Sequence, residues 1–317
     1  MTMIAFTGAA ELGLIYSMVA VGLYLSYKIL GLADLTVDGS FTLGAAVSIM
    51  AVLAGFPAMG LIAAALCGAM AGLITALLQT KLGIQPILAG ILTMTALYSI
   101  NLKVMDGKAS VNALSQSTVF SFFQSIFTDG GKLIFVLLIL LAVTAVFVWF
   151  MGTQFGMAIR ATGDNESMVR SSSINSNLTK TVGLMLANAL VALSGGLLAQ
   201  YQKSSDTSMG TGVVVIGLAS VIIGDVIVGN FLFAVTKKRN IITGVVSVIC
   251  GSILYRLIIA FVLQHNNHPA LRFLNITASD MKLLSSIIVV IAISYPVIKQ
   301  KLILSSKKRR LKNASDS

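Results

Sequence analysis

Long apolar runs follow one another along this chain with few charges between them, and they decide what it can fold into. From Leu133 to Met151 there is no ionisable side chain at all. Charged residues are only 10% of the chain and hydrophobic residues 56%, whereas a soluble domain carries roughly 25% charged residues. So little charge cannot cover an ordinary water-exposed surface. The solvent for most of the chain must be lipid, where only helices or closed barrels satisfy the backbone. A barrel would alternate apolar and polar residues in segments of about ten. These runs do not alternate, so the chain reads as an all-α membrane protein, a polytopic bundle of about 8–10 transmembrane helices.

Nine spans can be marked, at 10–30, 40–56, 59–79, 86–103, 132–151, 181–201, 212–232, 240–263 and 282–300. The second and fourth are short and rich in small or hydroxyl residues, which fits half-helices or tilted pieces inside the bundle. Alternating from an outside N-terminus puts fifteen Lys and Arg inside, from Lys28 to the basic tail, and six outside, among them Lys103, Lys132 and Lys203. That asymmetry predicts an N-terminus outside and a C-terminus inside a bacterial cytoplasmic membrane. Glu11 and the lack of early basic residues argue against a cleaved signal peptide. The chain is read as a single transmembrane domain, 1–317, with an inner loop at about 152–180 and a basic cytoplasmic tail at about 299–317. A longer outer loop, 104–131, carries the turn signal Asp106-Gly107.

The net charge of +11 would suggest nucleic acid on a soluble protein. Here topology accounts for it, and no RNA-binding signature, zinc-finger spacing or zipper is present, so no nucleic-acid partner is expected. Cys67 and Cys250 lie in apolar runs and read as packing residues. His265 and His268 make a poor metal site, and no metal or cofactor is expected. No Walker-type phosphate loop, G-x-S-x-G or H-E-x-x-H occurs, so the chain is not expected to be an enzyme.

Four places interrupt the apolar pattern in ways that matter. Ala33 to Ser40 carries Asp34, Thr36 and Asp38 between two spans. It fits either a loop in which Asp38 or Ser40 caps the next helix, or irregular backbone lining a cavity. Asp225 lies in a span, with Arg256 of the next span as a possible partner, or it sits harmlessly near the cytoplasmic end. The inner stretch Gly156 to Arg170 mixes Met157, Ile159, Met168 and Val169 with polar neighbours. Thr162, Asp164 and Asn165 suit a helix start there, with Glu166 in its first turn. That pattern fits a short surface helix, either one that enters a groove on a partner or an amphipathic connector on the bilayer. Finally, Gly68-x-x-x-Gly72, Ser194-Gly195-Gly196, and Gly217 with Gly224 suit close helix approach.

Several of these stretches together resemble a known family. They are Asp34-Leu-Thr-Val-Asp-Gly-Ser-Phe-Thr-Leu-Gly44, Leu88 to Asn101, Ile159-Arg-Ala-Thr-Gly-Asp-Asn165, Ala192 to Tyr201, and Val215 to Gly224. The chain is similar to permeases of the branched-chain amino acid and ribose importer superfamily, and most similar to the tryptophan/tyrosine-type uptake permeases of bacteria. The resemblance implies a non-catalytic permease subunit of an ATP-binding-cassette importer for a small polar solute such as tryptophan or tyrosine. It implies a permease homodimer in the lipid bilayer, with cytoplasmic ATPase subunits and an extracytoplasmic solute-binding lipoprotein as partners. It assigns Arg160, Ala161, Thr162, Gly163, Asp164, Asn165 and Glu166 to the element that docks on the ATPase. Asp34, Thr36, Asp38, Asn101 and Asp225 stand as candidates for the translocation path. Ser171-Ser172-Ser173 departs from the family pattern, which has a small apolar pair with glycine before Ile174-Asn175. The contrasting reading is an ion-coupled secondary transporter, which would need ionisable groups at mid-membrane, where only Asp225 and Arg256 offer themselves.

Overall fold

The computed structural model describes residues 3–126, 130–229, 231 and 240–264, together with positions 283, 286, 287, 290 and 294. The last expected span, 282–300, therefore lies almost wholly outside the described residues. So do Lys237-Lys238-Arg239, both histidines and the basic tail.

Helices dominate. α1, Met3–Leu23, runs on into a π-helical segment, Tyr24–Ile29. Then come α2, Thr36–Leu53; α3, Pro57–Thr80; and α4, Pro86–Val104. Pro57 and Pro86 open their helices where a missing N–H costs nothing. Beyond α4 lie the short strand β1, Ser110–Asn112, then α5, Val119–Ile126, and α6, Gly131–Gly152. Two short helices follow, α7, Gln154–Asp164, and α8, Glu166–Ser171. α9, Ser176–Gln202, is the longest helix, and β2, Ser204–Asp206, pairs antiparallel with β1. α10, Val213–Ile223, continues as a second π-helical segment, Gly224–Gly229, and α11 is Ile241–Gln264.

Seven of these helices are long and apolar enough to cross a membrane. The eighth apolar helix, Val213–Gly229, is shorter. As expected, the second and fourth spans are the shortest of the seven: α2 has 18 residues and α4 has 19. The second helix begins at Thr36, four residues before the expected start at residue 40.

α2, α3 and α9 form the most closely packed group, and α1, α10 and α11 form a second one joined to it through α1. Small residues make the first seam possible. A Cβ on Gly68 would meet Ala192 and the Asn188 carbonyl, and one on Gly72 the Leu184 carbonyl, as the G-x-x-x-G spacing predicts. The outward faces of α3, α4 and α6 keep large apolar side chains exposed, including Leu66, Ile91 and Trp149. A surface of this kind suits lipid and not water.

Candidate functional site

Polar groups mark three places in the bundle, two of them buried. The first lies between α2, α3 and α9. Asp34 is only 3% exposed. One carboxylate oxygen accepts the Thr36 N–H at 2.9 Å, and the other accepts from Asn188 Nδ2 at 2.7 Å. Asn188 Oδ1 in turn accepts from Ser40 Oγ at 2.7 Å, and Thr36 Oγ1 lies 2.8 Å from Thr75 Oγ1. No ion pair reaches Asp34 among the described residues. Burial raises its carboxyl above the ordinary carboxylate range, against the Thr36 and Asn188 hydrogen bonds that lower it. Thr36 thus begins α2 with its N–H donated to the Asp34 carboxylate. The expected cap by Asp38 or Ser40 is corrected.

Asp38 instead serves another helix. Its two carboxylate oxygens accept the Gly212 N–H at 2.9 Å and the Val214 N–H at 2.8 Å. These are orphan donors at the start of α10, and a carboxylate there is favoured by the helix dipole. Gly212 itself has φ +85, a conformation glycine adopts without strain. The start of α10 is deep in the bundle. At the far end of α9, Gln200 Nε2 donates to the Pro57 carbonyl at the start of α3. Ten residues on, the Gly210 N–H donates to Thr42 Oγ1 in the second turn of α2. The chain from 203 to 212 therefore turns back into the bundle before α10 begins. Beside this start lies a cavity of about 280 Å³ lined by Asp38, Thr42, Tyr98, Asn101, Thr207 and Thr211, among others. Asn101 is buried, donates a long 3.4 Å hydrogen bond to the Gly39 carbonyl, and leaves its Oδ1 without a partner among the described residues. Two of the five expected path residues, Asp38 and Asn101, thus share one cavity. Asp34 and Thr36 hold the first turn of α2 behind it.

The third place is at the opposite end of α10. Asp225 lies in its π-helical segment and pairs with Lys28 of the other π-helical segment at 2.6 Å. The expected pairing with Arg256 is corrected: 197 residues of sequence separate Lys28 from Asp225, and no local pattern couples them. The pair stands 40% and 45% exposed and shares a cavity of about 210 Å³ with Arg160, Tyr24, Thr243 and Ser247. Asp225 is therefore remote from the cavity of Asp38 and Asn101, and it belongs with the inner loop.

That loop folds as an elbow. Thr153 Oγ1 accepts the Gly156 N–H at the start of α7, and Asn165 Oδ1 accepts the Met168 N–H at the start of α8. Of the three expected caps only Asn165 acts as one. Thr162 donates to the Ala158 carbonyl and meets Thr179 Oγ1 at 2.8 Å, while Asp164 stands exposed at the end of α7. Glu166 binds Arg170 at 2.7 Å and Lys180 at 2.6 Å. The hydrogen bond from Lys180 and the neighbouring positive charge hold its carboxyl below the usual value, against a smaller effect of burial. Ile159 and Val169 are buried, whereas Met157 and Met168 are 49% and 66% exposed. Gly163 lies so close to the Ile29 carbonyl that a Cβ would collide with it. The elbow is thus seated directly on the end of α1's extension, with two thioethers facing outward.

Asn188 was missed from sequence. It is a single amide inside the apolar run Leu184–Leu193, and an isolated polar residue in such a run is the signal that would have found it.

The family model described as branched-chain amino acid transport system / permease component matches residues 6–294. A tyrosine transport system permease protein from Clostridioides difficile is 36% identical over 87% of this chain and 86% of its own length. The ribose import permease protein RbsC of Haemophilus influenzae is 26% identical over 87% of this chain and 80% of its own. The galactose/methyl galactoside import permease protein MglC of the same organism is 28% identical over 60% and 59%. No solved structure matches.

Proposed function

The chain belongs to the family of branched-chain amino acid transport permease components, and on that premise we propose that it is the permease subunit of an ATP-driven importer for an amino acid such as tyrosine or tryptophan. The elbow of α7 and α8 carries this reading. It offers Met157, Met168 and Asp164 outward while Gly163 rests on the Ile29 carbonyl. A push on such an elbow moves the end of α1 and the Lys28–Asp225 pair with it. We assign residues 160–166 to docking on cytoplasmic ATPase subunits. The N-terminus is then outside and the C-terminus inside, the chain works as a homodimer, and a solute-binding lipoprotein delivers solute from the other face. The cavity of Asp38, Tyr98 and Asn101 is the stretch of path assigned to this chain. The amino acid substrate is supported by the name of the tyrosine permease relative, which covers most of both chains. ATP is hydrolysed on the partner, and nucleotide shifts the permease only by its differential affinity for two states.

The test is co-purification of the ATPase with the full permease, followed by ATP-dependent uptake in proteoliposomes. Asp164→Ala combined with Met168→Asp is expected to lose most of the retained ATPase and the uptake, with the permease still folded. Full retention and uptake would sink the docking assignment.

A further inference from the structure

Arg256 is the one charged residue in α11, fifteen residues beyond its first, Ile241. Its guanidinium carbon sits 3.9 Å from the centre of the Tyr16 ring, and Tyr16 stacks on Phe41 with ring centres 5.7 Å apart. A cation over an aromatic face is stabilised, but this does not neutralise a charge at membrane depth. Arg256 Nε is buried without a hydrogen-bond partner among the described residues. No described carboxylate pairs with it: Asp225 pairs with Lys28, Glu166 with Arg170 and Lys180, Asp38 caps α10, Asp34 accepts from Asn188 and Glu11 accepts from the Tyr201 hydroxyl. Arg256 also lines a cavity of about 260 Å³ together with Tyr16, Thr211, Gly212, Val213 and Ile216. The cavity thus holds an intramembrane guanidinium, an aromatic ring and the first turn of a helix that begins inside the bundle. Of these the guanidinium favours an anion, whereas the Gly212 and Val214 N–H groups are already taken by the Asp38 carboxylate. A planar guanidinium is suited to the two oxygens of a carboxylate. Thr211 lines this cavity and also the one with Asp38 and Asn101, so acceptors stand on one side of the α10 start and a donor cation on the other.

We infer that Arg256, in the cavity it shares with Tyr16 and Thr211, binds the carboxylate of a transported amino acid. This rests on the permease reading above and names the group that the permease itself recognises. Sugars such as ribose and galactose, for which two of the relatives are named, carry no such group.

The test uses the purified full-length permease in phosphatidylcholine nanodiscs, with L-tyrosine and its decarboxylated counterpart tyramine as probes, read by saturation-transfer NMR titration. The wild type is expected to bind L-tyrosine saturably, and tyramine about tenfold or more weakly, the scale of a lost charge-assisted hydrogen bond. Arg256→Gln is expected to weaken L-tyrosine by a similar factor and leave tyramine unchanged, while Arg256→Lys recovers part of the loss. The tyramine comparison needs no variant, so it stands even if Arg256→Gln fails to fold. Equal binding of the two probes, no saturable L-tyrosine binding by the wild type, or unchanged binding in folded Arg256→Gln overturns the inference. So does retention of phosphatidylglycerol that depends on Arg256 while L-tyrosine binding does not. ATP-driven uptake by the assembled transporter reports separately on the permease reading.

Discussion

Asp34 and Glu166 are both carboxylates at the centre of a polar cluster, yet the two clusters are built in opposite ways. Asp34 is buried and is held by a backbone N–H and the Asn188 amide, with Ser40 and Thr75 extending the seam. Glu166 sits at the rim and is held by Arg170 and Lys180. The difference follows from what replaces a lost partner. At the rim, water can, so long flexible cations suffice and each contributes little. In the bundle nothing can, so short neutral donors fixed on packed helices do the work, and removing one strands its partner. The buried seam should therefore be stiff and the rim adjustable, a division that suits an elbow meant to move against a fixed core.

The largest expected effect lies in the buried seam. Asn188→Ala removes the Nδ2 donor to Asp34 and the acceptor for Ser40 at once. An interhelical hydrogen bond between neutral groups in a membrane averages only about 0.6 kcal/mol. Here a buried carboxylate loses a donor, so a destabilisation of about 3 kcal/mol is expected. Reversible unfolding in mixed micelles measures it. A loss below about 1 kcal/mol would mean that water reaches Asp34 and that the two clusters do not differ as described.

The bundle was legible in the sequence because apolar runs are a local property that accumulates along the chain. The elbow was partly legible, since Asn165 and Glu166 stand where a helix start wants them. What could not be read were partnerships across the fold. Asp38 reads as a cap for the helix it occupies, and only the return of 203–212 into the bundle shows that it caps α10. Asp225 reads as a partner for Arg256 because the two are neighbours in span order, whereas the packing of α10 beside the extension of α1 brings it to Lys28. Hydrophobic periodicity says which face is buried, not what it is buried against.

A second effect, smaller, probes the rim through Lys28 and Asp225. The pair is about half exposed, and a double-mutant cycle with Lys28→Ala and Asp225→Ala should give a stability coupling of about 0.5 kcal/mol. High salt should shrink it further. A coupling of several kcal/mol, insensitive to salt, would place the pair on the buried side of the comparison and make the two π-helical segments part of the rigid core.

The smallest effect is expected at Glu166, since Glu166→Gln keeps an acceptor for Arg170 and Ser176 and removes only the charge that Lys180 and Arg170 face. The folded-state carboxyl lies below its unfolded value, with the Lys180 hydrogen bond the largest cause. Its stabilisation is therefore fully present above the unfolded value of about 4.3 and is lost as pH falls through the lower folded value. Thermal unfolding should show wild type slightly above Glu166→Gln at neutral pH, with the gap closing as pH is taken below about 4. A gap that instead widens on acidification would mean the carboxyl is raised, as at Asp34, and that the rim is governed by burial after all.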